Sequence, residues 1–221
     1  SVLSVQEAIA RAKQWGHPAI AVTDHGVVQS FPEAFLEGQK RGIKVIYGLE
    51  GYLVEDHDRD RAYHIIILAK NKKGLRHLYE IVTESHLKHF YRTPRIPRNL
   101  LSEKREGLLL GSACEAGELM QAILRGESRE KLEKIAAFYD YLEIQPTDNN
   151  RHLIGQGSIA DEKGLEEINR RIYELAKATG RMCVMTGDVH YLDPEDEIYR
   201  SILLSVKGML EGEKPAPLHF R

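Results

Sequence analysis

Apolar and polar positions alternate along this chain in blocks that switch repeatedly between a helical and a strand period. Ser4 and Glu7 form a capping box, and Gly16 stops the helix they open. The run Pro18–Thr23 reads as a buried strand. Ser30 and Glu33 suggest a second capping box, with Pro32 in the first turn and Gly42 as the stop. A strand at Lys44–Tyr47 continues through Gly48-Leu49-Glu50 into the extended stretch Gly51–Val54. A charged break, Glu55–Arg61, separates it from the aliphatic run His64–Ala69.

Lys72–His89 has helical spacing, with Leu75, Leu78, Ile81 and Val82 on one face. Gly107–Gly111 is a buried strand, followed by helices at Ala116–Leu124 and Arg129–Phe138. Strand Tyr139–Gln145 precedes helix Asp161–Thr179, whose apolar face is Leu165, Ile168, Ile172 and Leu175. The last strand, Met182–Thr186, leads into helix Pro194–Val206. Six or seven strands alternating with helices of this length predict an α/β fold built on a parallel sheet or barrel.

Composition narrows the class without naming a function. The chain has 221 residues and 25.2 kDa, enough for one domain with a substantial core. Its 42% hydrophobic and 29% charged residues are ordinary for a soluble globular protein. A net charge of −2 gives no overall basic field of the kind that gathers nucleic acid. No apolar run approaches the roughly 18 residues needed to cross a bilayer, and no signal-peptide pattern opens the chain, so neither membrane nor export is expected. Two cysteines far apart, Cys114 and Cys183, fit a reducing cytoplasm better than a disulfide framework. Neither end carries an obvious cap, so the chain reads as a piece of something longer.

The chemistry gathers at strand ends. Thr23-Asp24-His25-Gly26 follows one apolar run, and Thr186-Gly187-Asp188-Val189-His190-Tyr191 follows another. Carboxylate and imidazole at the carboxyl ends of strands are how α/β folds assemble metal and catalytic sites. Collecting the polar groups so placed gives Asp24, His25, Glu50, His64, Cys114, Glu143, Asp188 and His190. Histidine suits zinc, iron or manganese, thiolate favours zinc, and carboxylates can bridge two ions. That is the ligand chemistry of a multinuclear phosphoesterase; zinc-finger spacing is absent.

Each member also has a plainer role available. Asp24 can cap a loop through its neighbours, and the functional and capping roles weigh evenly for it. Cys114 and Cys183 taken singly are ordinary buried cysteines, and Cys183 stays in that class. Glu143 and Gln145 alternate into the interior with Tyr141, where a barrel's polar network accounts for them as well as catalysis does. His64 begins its strand instead of ending it, which breaks the pattern unless Gly51–Val54 and His64–Ala69 form a hairpin. His17, His77, His86, His89, His152 and His219 are expected at the surface or in caps. The segment His86–Arg98 interleaves cations with Phe90 and Tyr91 around two prolines; it reads as a solvated connector, with a phosphate-contacting or interdomain loop as the alternative.

At these residues the sequence resembles the PHP (polymerase and histidinol phosphatase) domain, and more narrowly the PHP domain of PolC-type bacterial DNA polymerase III. The resemblance runs over essentially the whole chain. It is carried by Trp15-Gly16-His17, by the run from Ala19 to Pro32, by Ile46-Tyr47-Gly48-Leu49-Glu50, and by Phe90 to Arg98. Glu106 to Cys114, Phe138 to Pro146 and Gly187 to Leu192 complete it. Val27 to Pro32, Phe90 to Arg98 and Gly111 to Cys114 point to the PolC type.

The resemblance implies a distorted (β/α)7, TIM-like barrel with a trinuclear metal centre at one mouth. Its ligand positions fall on His25, Glu50, His64, Cys114, Asp188 and His190, and it accounts for His64 at a strand start. Zinc is the expected ion, with manganese or iron as alternatives and magnesium serving the parent polymerase. The implied partners are the polymerase core of the parent chain, DNA through that parent, and replisome components. Two departures from the family pattern stand out. The opening strand with its His-x-His pair would stand before Ser1, and the proofreading exonuclease that PolC proteins insert in this domain would fall at about residues 55–63. Polymerisation would belong to the parent, and the fragment alone is expected to be inactive or nearly so. The competing function is a free-standing PHP phosphatase acting on a small phosphomonoester; a third reading is a purely structural metal module.

Overall fold

The computed structural model describes residues 2–55 and 58–210. In chain order the elements are α1 (Val5–Gln14), β1 (Ala19–His25), α2 (Phe31–Arg41), β2 (Lys44–Glu55), β3 (Asp58–Ala69) and α3 (Lys72–Leu87). There follow β4 (Phe90–Tyr91), β5 (Thr93–Pro97), α4 (Arg98–Glu103), β6 (Leu108–Gly111), α5 (Glu118–Leu124), α6 (Arg129–Ala136) and β7 (Tyr141–Ile144). The chain ends with α7 (His152–Gly155), α8 (Glu162–Thr179), β8 (Met182–Met185) and α9 (Glu197–Leu210). Among these described residues no helix is long and apolar enough to cross a membrane. His219 and residues 56 and 57 of the expected insertion point lie outside the described residues.

The chain packs as two compact units, one of residues 1–20, 32–45 and 189–221, the other of residues 21–31 and 46–188. In the first, the predicted capping box forms at Ser4 and Glu7 and starts α1. Arg11 grips Asp193 through both guanidinium nitrogens, at 2.8 and 3.0 Å, tying α1 to the turn before α9. The second unit holds nearly all of the sheet.

That sheet runs β4-β5-β2-β3-β6-β7-β8, with β1 paired to β2 off the main path. It is α/β and barrel-related, as the sequence predicts, but the sheet is mixed. β2 and β3 are antiparallel, as are β3 and β6 and β4 and β5, while the β2–β5, β6–β7 and β7–β8 pairs are parallel. The charged break after Val54 is too short for a helical crossover, so the chain can only return antiparallel. Helices cover the sheet where their apolar faces demand it. Leu165, Ile168, Ile172 and Leu175 of α8 are all buried, and Asp161 and a left-handed Gly180 cap that helix. Leu49, Leu53, Ile65, Ile67, Leu78, Ile81, Ile96 and Leu110 form the centre of the core. Each such side chain contributes about 1.5–3 kcal/mol through burial.

The expected connector at His86–Arg98 is instead a tight β4–β5 hairpin whose second strand lies beside β2. Pro94 and Pro97 disguise that strand, because proline cannot donate to a ladder and so argues against a strand in sequence. The Ser30 hydroxyl donates to the Asp24 carboxylate.

Two glycines pack backbone against backbone. Gly107, at φ +79°, abuts Gly74 in the first turn of α3, where a Cβ would lie 1.8 Å from the Gly107 carbonyl oxygen. Backbone cannot rotate away as a side chain can. Gly74→Ala should therefore destabilise the protein by about 2 kcal/mol or more. Gly155→Ala, where a Cβ meets nothing within 4 Å, should shift stability by less than about 1 kcal/mol. Urea unfolding of both variants checks the contrast; equal effects would contradict it.

Candidate metal centre

The second unit brings four of the six expected donors, His25, Glu50, His64 and Cys114, into direct association. His25 ends β1, Glu50 sits mid-strand in β2, His64 lies in β3, and Cys114 follows β6. The β2–β3 register sets Tyr52 opposite His64 and Glu50 opposite Ile66. Side chains alternate faces along a strand, so Glu50, Tyr52, His64 and Ile66 share one face, while Leu49, Leu53, Ile65 and Ile67 fill the core on the other. The hairpin that would rescue His64 is thus present.

Glu50 is the hub. One of its oxygens, Oε1, lies 2.7 Å from His64 Nδ1 and 3.6 Å from Cys114 Sγ; the other, Oε2, lies 3.5 Å from His25 Nε2. His64 Nδ1 is also 3.3 Å from the Cys114 sulfur. One donor atom each from His25, Glu50 and His64 falls within a 4.8 Å cluster. Tyr52 closes one side, its ring centroid 5.4 Å from that of His64 and 6.3 Å from that of His25. Glu50 is buried, whereas His25 is the exposed member, so the cluster opens to solvent on the His25 side.

The loop carrying Cys114 is held in a sparsely populated conformation. Ala113 adopts φ +61°, a left-handed geometry that costs a residue with a Cβ about 1–2 kcal/mol. Glu143 on β7 holds it there. Its Oε1 accepts the Ala113 amide at 3.1 Å, its Oε2 accepts the Thr186 hydroxyl at 3.0 Å, and its own amide donates to Ser112 Oγ at 2.8 Å. Past Cys114 the chain folds back on β3, with the His64 amide donating to the Ala116 carbonyl at 3.0 Å. Glu143 therefore links the Cys114 loop to the end of β8, two residues before Asp188. Asp188 itself has φ +47°, and its charge acts on His64, Cys114 and Glu143. His190 belongs to the first unit, where its carbonyl accepts the Val2 amide at 3.1 Å; its place in a ligand set rests on the sequence pattern.

Burial and neighbouring charge raise three titrating groups in and around this cluster. Burial pushes the Cys114 thiol up, and the charges of Glu115 and Glu50 add to it. Burial likewise pushes the Glu143 carboxyl up to about 7, against the hydrogen bonds from Thr186 and Ala113. For His64, burial opposes the charged ring, but the hydrogen bond and charge of Glu50, with the charges of Glu115 and Asp188, outweigh it and raise the imidazole. Crowded imidazole, carboxylate and thiol groups of this kind suit a divalent ion, which replaces the protons on binding. Two further histidines fill plainer places, His77 reaching the Glu106 carbonyl and His86 the Gly26 carbonyl, each at 2.8 Å. Sequence reading overlooked Tyr52 and the Ser112–Glu143–Thr186 ties; the two-residue offset of Tyr52 from Glu50 was the available signal for the first.

Fold and cluster together define an α/β domain of the barrel-related class with a His–Glu–His group that could hold a metal ion. The chain belongs to the PHP domain family, whose match spans residues 1–147 and includes His25, Glu50, His64 and Cys114. It is 49% identical to the DNA polymerase III PolC-type of Clostridium perfringens over 72% of its length, and 46% identical to that of Bacillus subtilis over 75%. These alignments cover 11% and 12% of the respective relatives, so the chain spans a small part of the proteins it matches. A solved structure described as a metal-dependent phosphoesterase from Bifidobacterium adolescentis shares the fold. Its TM-score is 0.52 at 14% identity, over 86% of this chain and 84% of that one.

The raised His64 gives a signed prediction for the metal-free protein. Its folded value lies above the ordinary 6.5, so its stabilisation is fully present below the unfolded value and lost as pH rises through the folded one. In chelator, the wild-type advantage over His64→Gln in urea unfolding should be larger at about pH 5.5 than at about pH 8.5. A gap that widened with pH would reverse the assignment.

Proposed function

We propose that this chain is the metal-binding PHP module of a PolC-type replicative DNA polymerase III, the whole of residues 1–221 forming that domain. The carrying observation is the His25–Glu50–His64 cluster with Cys114 against it, in a chain 49% identical to a PolC-type polymerase. On this reading the ligands are His25, Glu50, His64, Cys114, Asp188 and His190, and the parent chain supplies DNA polymerisation with its own magnesium. The polymerase core, DNA and replisome components are its partners, in the cytoplasm. The exonuclease insertion of PolC proteins maps to about residues 55–63.

Zinc is the ion proposed, because a thiolate stands in the set. A bound ion of this kind supplies Lewis acidity and a water of lowered pKa. Glu50 holds the imidazoles of His25 and His64 in place, Tyr52 walls the cluster, and Glu143 fixes the Cys114 loop. His25, the exposed donor, faces the side from which solvent or a phosphoester would enter.

The principal role is structural, joined to a metal-dependent 3′–5′ exonuclease or phosphoesterase activity in the complete site. These 221 residues contain no His-x-His pair, so the donor set falls short of the family pattern. Clamping a phosphate between ions and activating water need fixed ions with an open position. Zinc should raise the melting temperature of the chain, since a ligand that binds only the folded state stabilises it, and chelator should reverse the rise. The same purified chain should hydrolyse phosphodiesters no faster than buffer. Metal-dependent turnover abolished by Asp188→Ala would overturn the structural assignment, and a melting temperature indifferent to zinc would overturn the metal site.

A further inference from the structure

One buried cation on this sheet has no counter-ion among the described residues. Arg95, in the middle of β5, is buried at 7% exposure. Its Nε donates to the Tyr91 carbonyl at 3.1 Å, and its guanidinium lies 4.9 Å from the Tyr91 ring centroid. Its Nη1 is shielded from water and has no hydrogen-bond partner. Among the described residues no carboxylate lies within ion-pair distance of it. Arginine stays charged at any physiological pH, and a buried charge without a partner costs several kcal/mol. The half-buried arginine of this region behaves differently: Arg98 pairs with Glu55 at 2.6 Å and Glu118 at 2.8 Å.

The register says where Arg95 faces. Tyr52 of β2 is its partner in the parallel β2–β5 ladder. Its neighbour Ile96 turns the other way into the core, its Cδ1 standing 2.6 Å from where a Gly51 Cβ would be. Arg95 therefore shares a sheet face with Tyr52 and Glu50, the face that carries the cluster. The loop bearing His25 lies along the same place, since a Cβ on Gly26 would meet Pro94 Cγ at 2.6 Å and Tyr52 Cε2 at 3.3 Å.

We infer that Arg95 is an anion subsite beside the histidine–glutamate cluster, built to take a phosphate group. Guanidinium donors in a rigid fork match phosphate oxygens two at a time. Tyr91 positions the fork by stacking on it and by accepting from Nε, which leaves Nη1 for the ligand. The inference deepens the metal-site reading: Arg95 would fix the phosphate of a phosphoester whose reacting bond lies toward His25 and Glu50. Arg95 is not a metal donor, so the two claims can fail separately.

The test uses the full 221-residue chain, first stripped of metal, with inorganic phosphate as probe and chloride at matched ionic strength as control. Phosphate should raise the melting temperature of wild type while chloride does not. Calorimetric affinity should fall roughly tenfold or more in Arg95→Gln, the loss expected when a charged hydrogen bond disappears. Arg95→Lys, which keeps charge but loses the fork, should fall between them and guards against a folding defect in Arg95→Gln. Zinc stoichiometry should be the same in all three proteins. Equal phosphate affinity in wild type and both variants, or no phosphate effect in wild type, would overturn the subsite. Loss of zinc binding in wild type with phosphate binding still dependent on Arg95 would overturn the metal site and leave the subsite standing.

Discussion

The register of the β2–β3 hairpin is the constraint on which the site depends. With Tyr52 opposite His64 and Glu50 opposite Ile66, Glu50, Tyr52 and His64 point one way, and Leu49, Leu53, Ile65 and Ile67 point the other. A slip of one residue would drive His64 into the core and turn Ile65 and Ile67 toward the cluster. Burial of Leu49, Leu53, Ile65 and Ile67, each at most 1% exposed, penalises that slip by several side chains' worth of transfer energy, about 1.5–3 kcal/mol apiece. The apolar face thus fixes the geometry of the polar one. Placing Glu50 2.7 Å from His64 follows from packing that has no chemistry of its own.

A second layer holds what the hairpin does not carry. Cys114 and Asp188 come from loops after β6 and β8, and loops need separate restraint. Glu143 supplies it by accepting from Ala113 and Thr186 at once. Gly111 lets that carboxylate in, since a Cβ there would stand 2.4 Å from Glu143 Oε1 and from the Tyr141 hydroxyl. The strained Ala113 is the local cost of aiming Cys114 at Glu50. Burial raises the Cys114 thiol and the Glu143 carboxyl, and Glu50 raises the His64 imidazole, so a cation held by the thiol and the imidazole would compete with protons.

Much of this was legible in the chain. Helix α8 shows its buried face in the spacing of Leu165, Ile168, Ile172 and Leu175, and the donors could be collected from the ends of apolar runs, although Glu50 and His64 lie inside β2 and β3 and not at their ends. His64 was legible conditionally, through the hairpin its position required. The mixed sheet was not, because alternation of strands and helices suggests parallel crossovers and the Glu55–Arg61 break gives no periodicity to read. Strand β5 was hidden by Pro94 and Pro97, and with it the significance of Arg95. Glu143 was visible as a buried acid, but its two acceptor contacts join residues thirty and more positions away, a distance that no local pattern encodes.

The central claim is that His25, Glu50, His64 and Cys114 form one metal centre with the thiol as a ligand. Cobalt(II) titration of the purified chain, followed by absorbance, tests it most directly, because a thiolate bound to cobalt gives a charge-transfer band that imidazole and carboxylate do not. The account predicts such a band on stoichiometric cobalt, its loss in Cys114→Ser with weaker d–d absorption retained, and loss of both in Glu50→Ala. A wild-type spectrum without the band, or an unchanged band in Cys114→Ser, would contradict it.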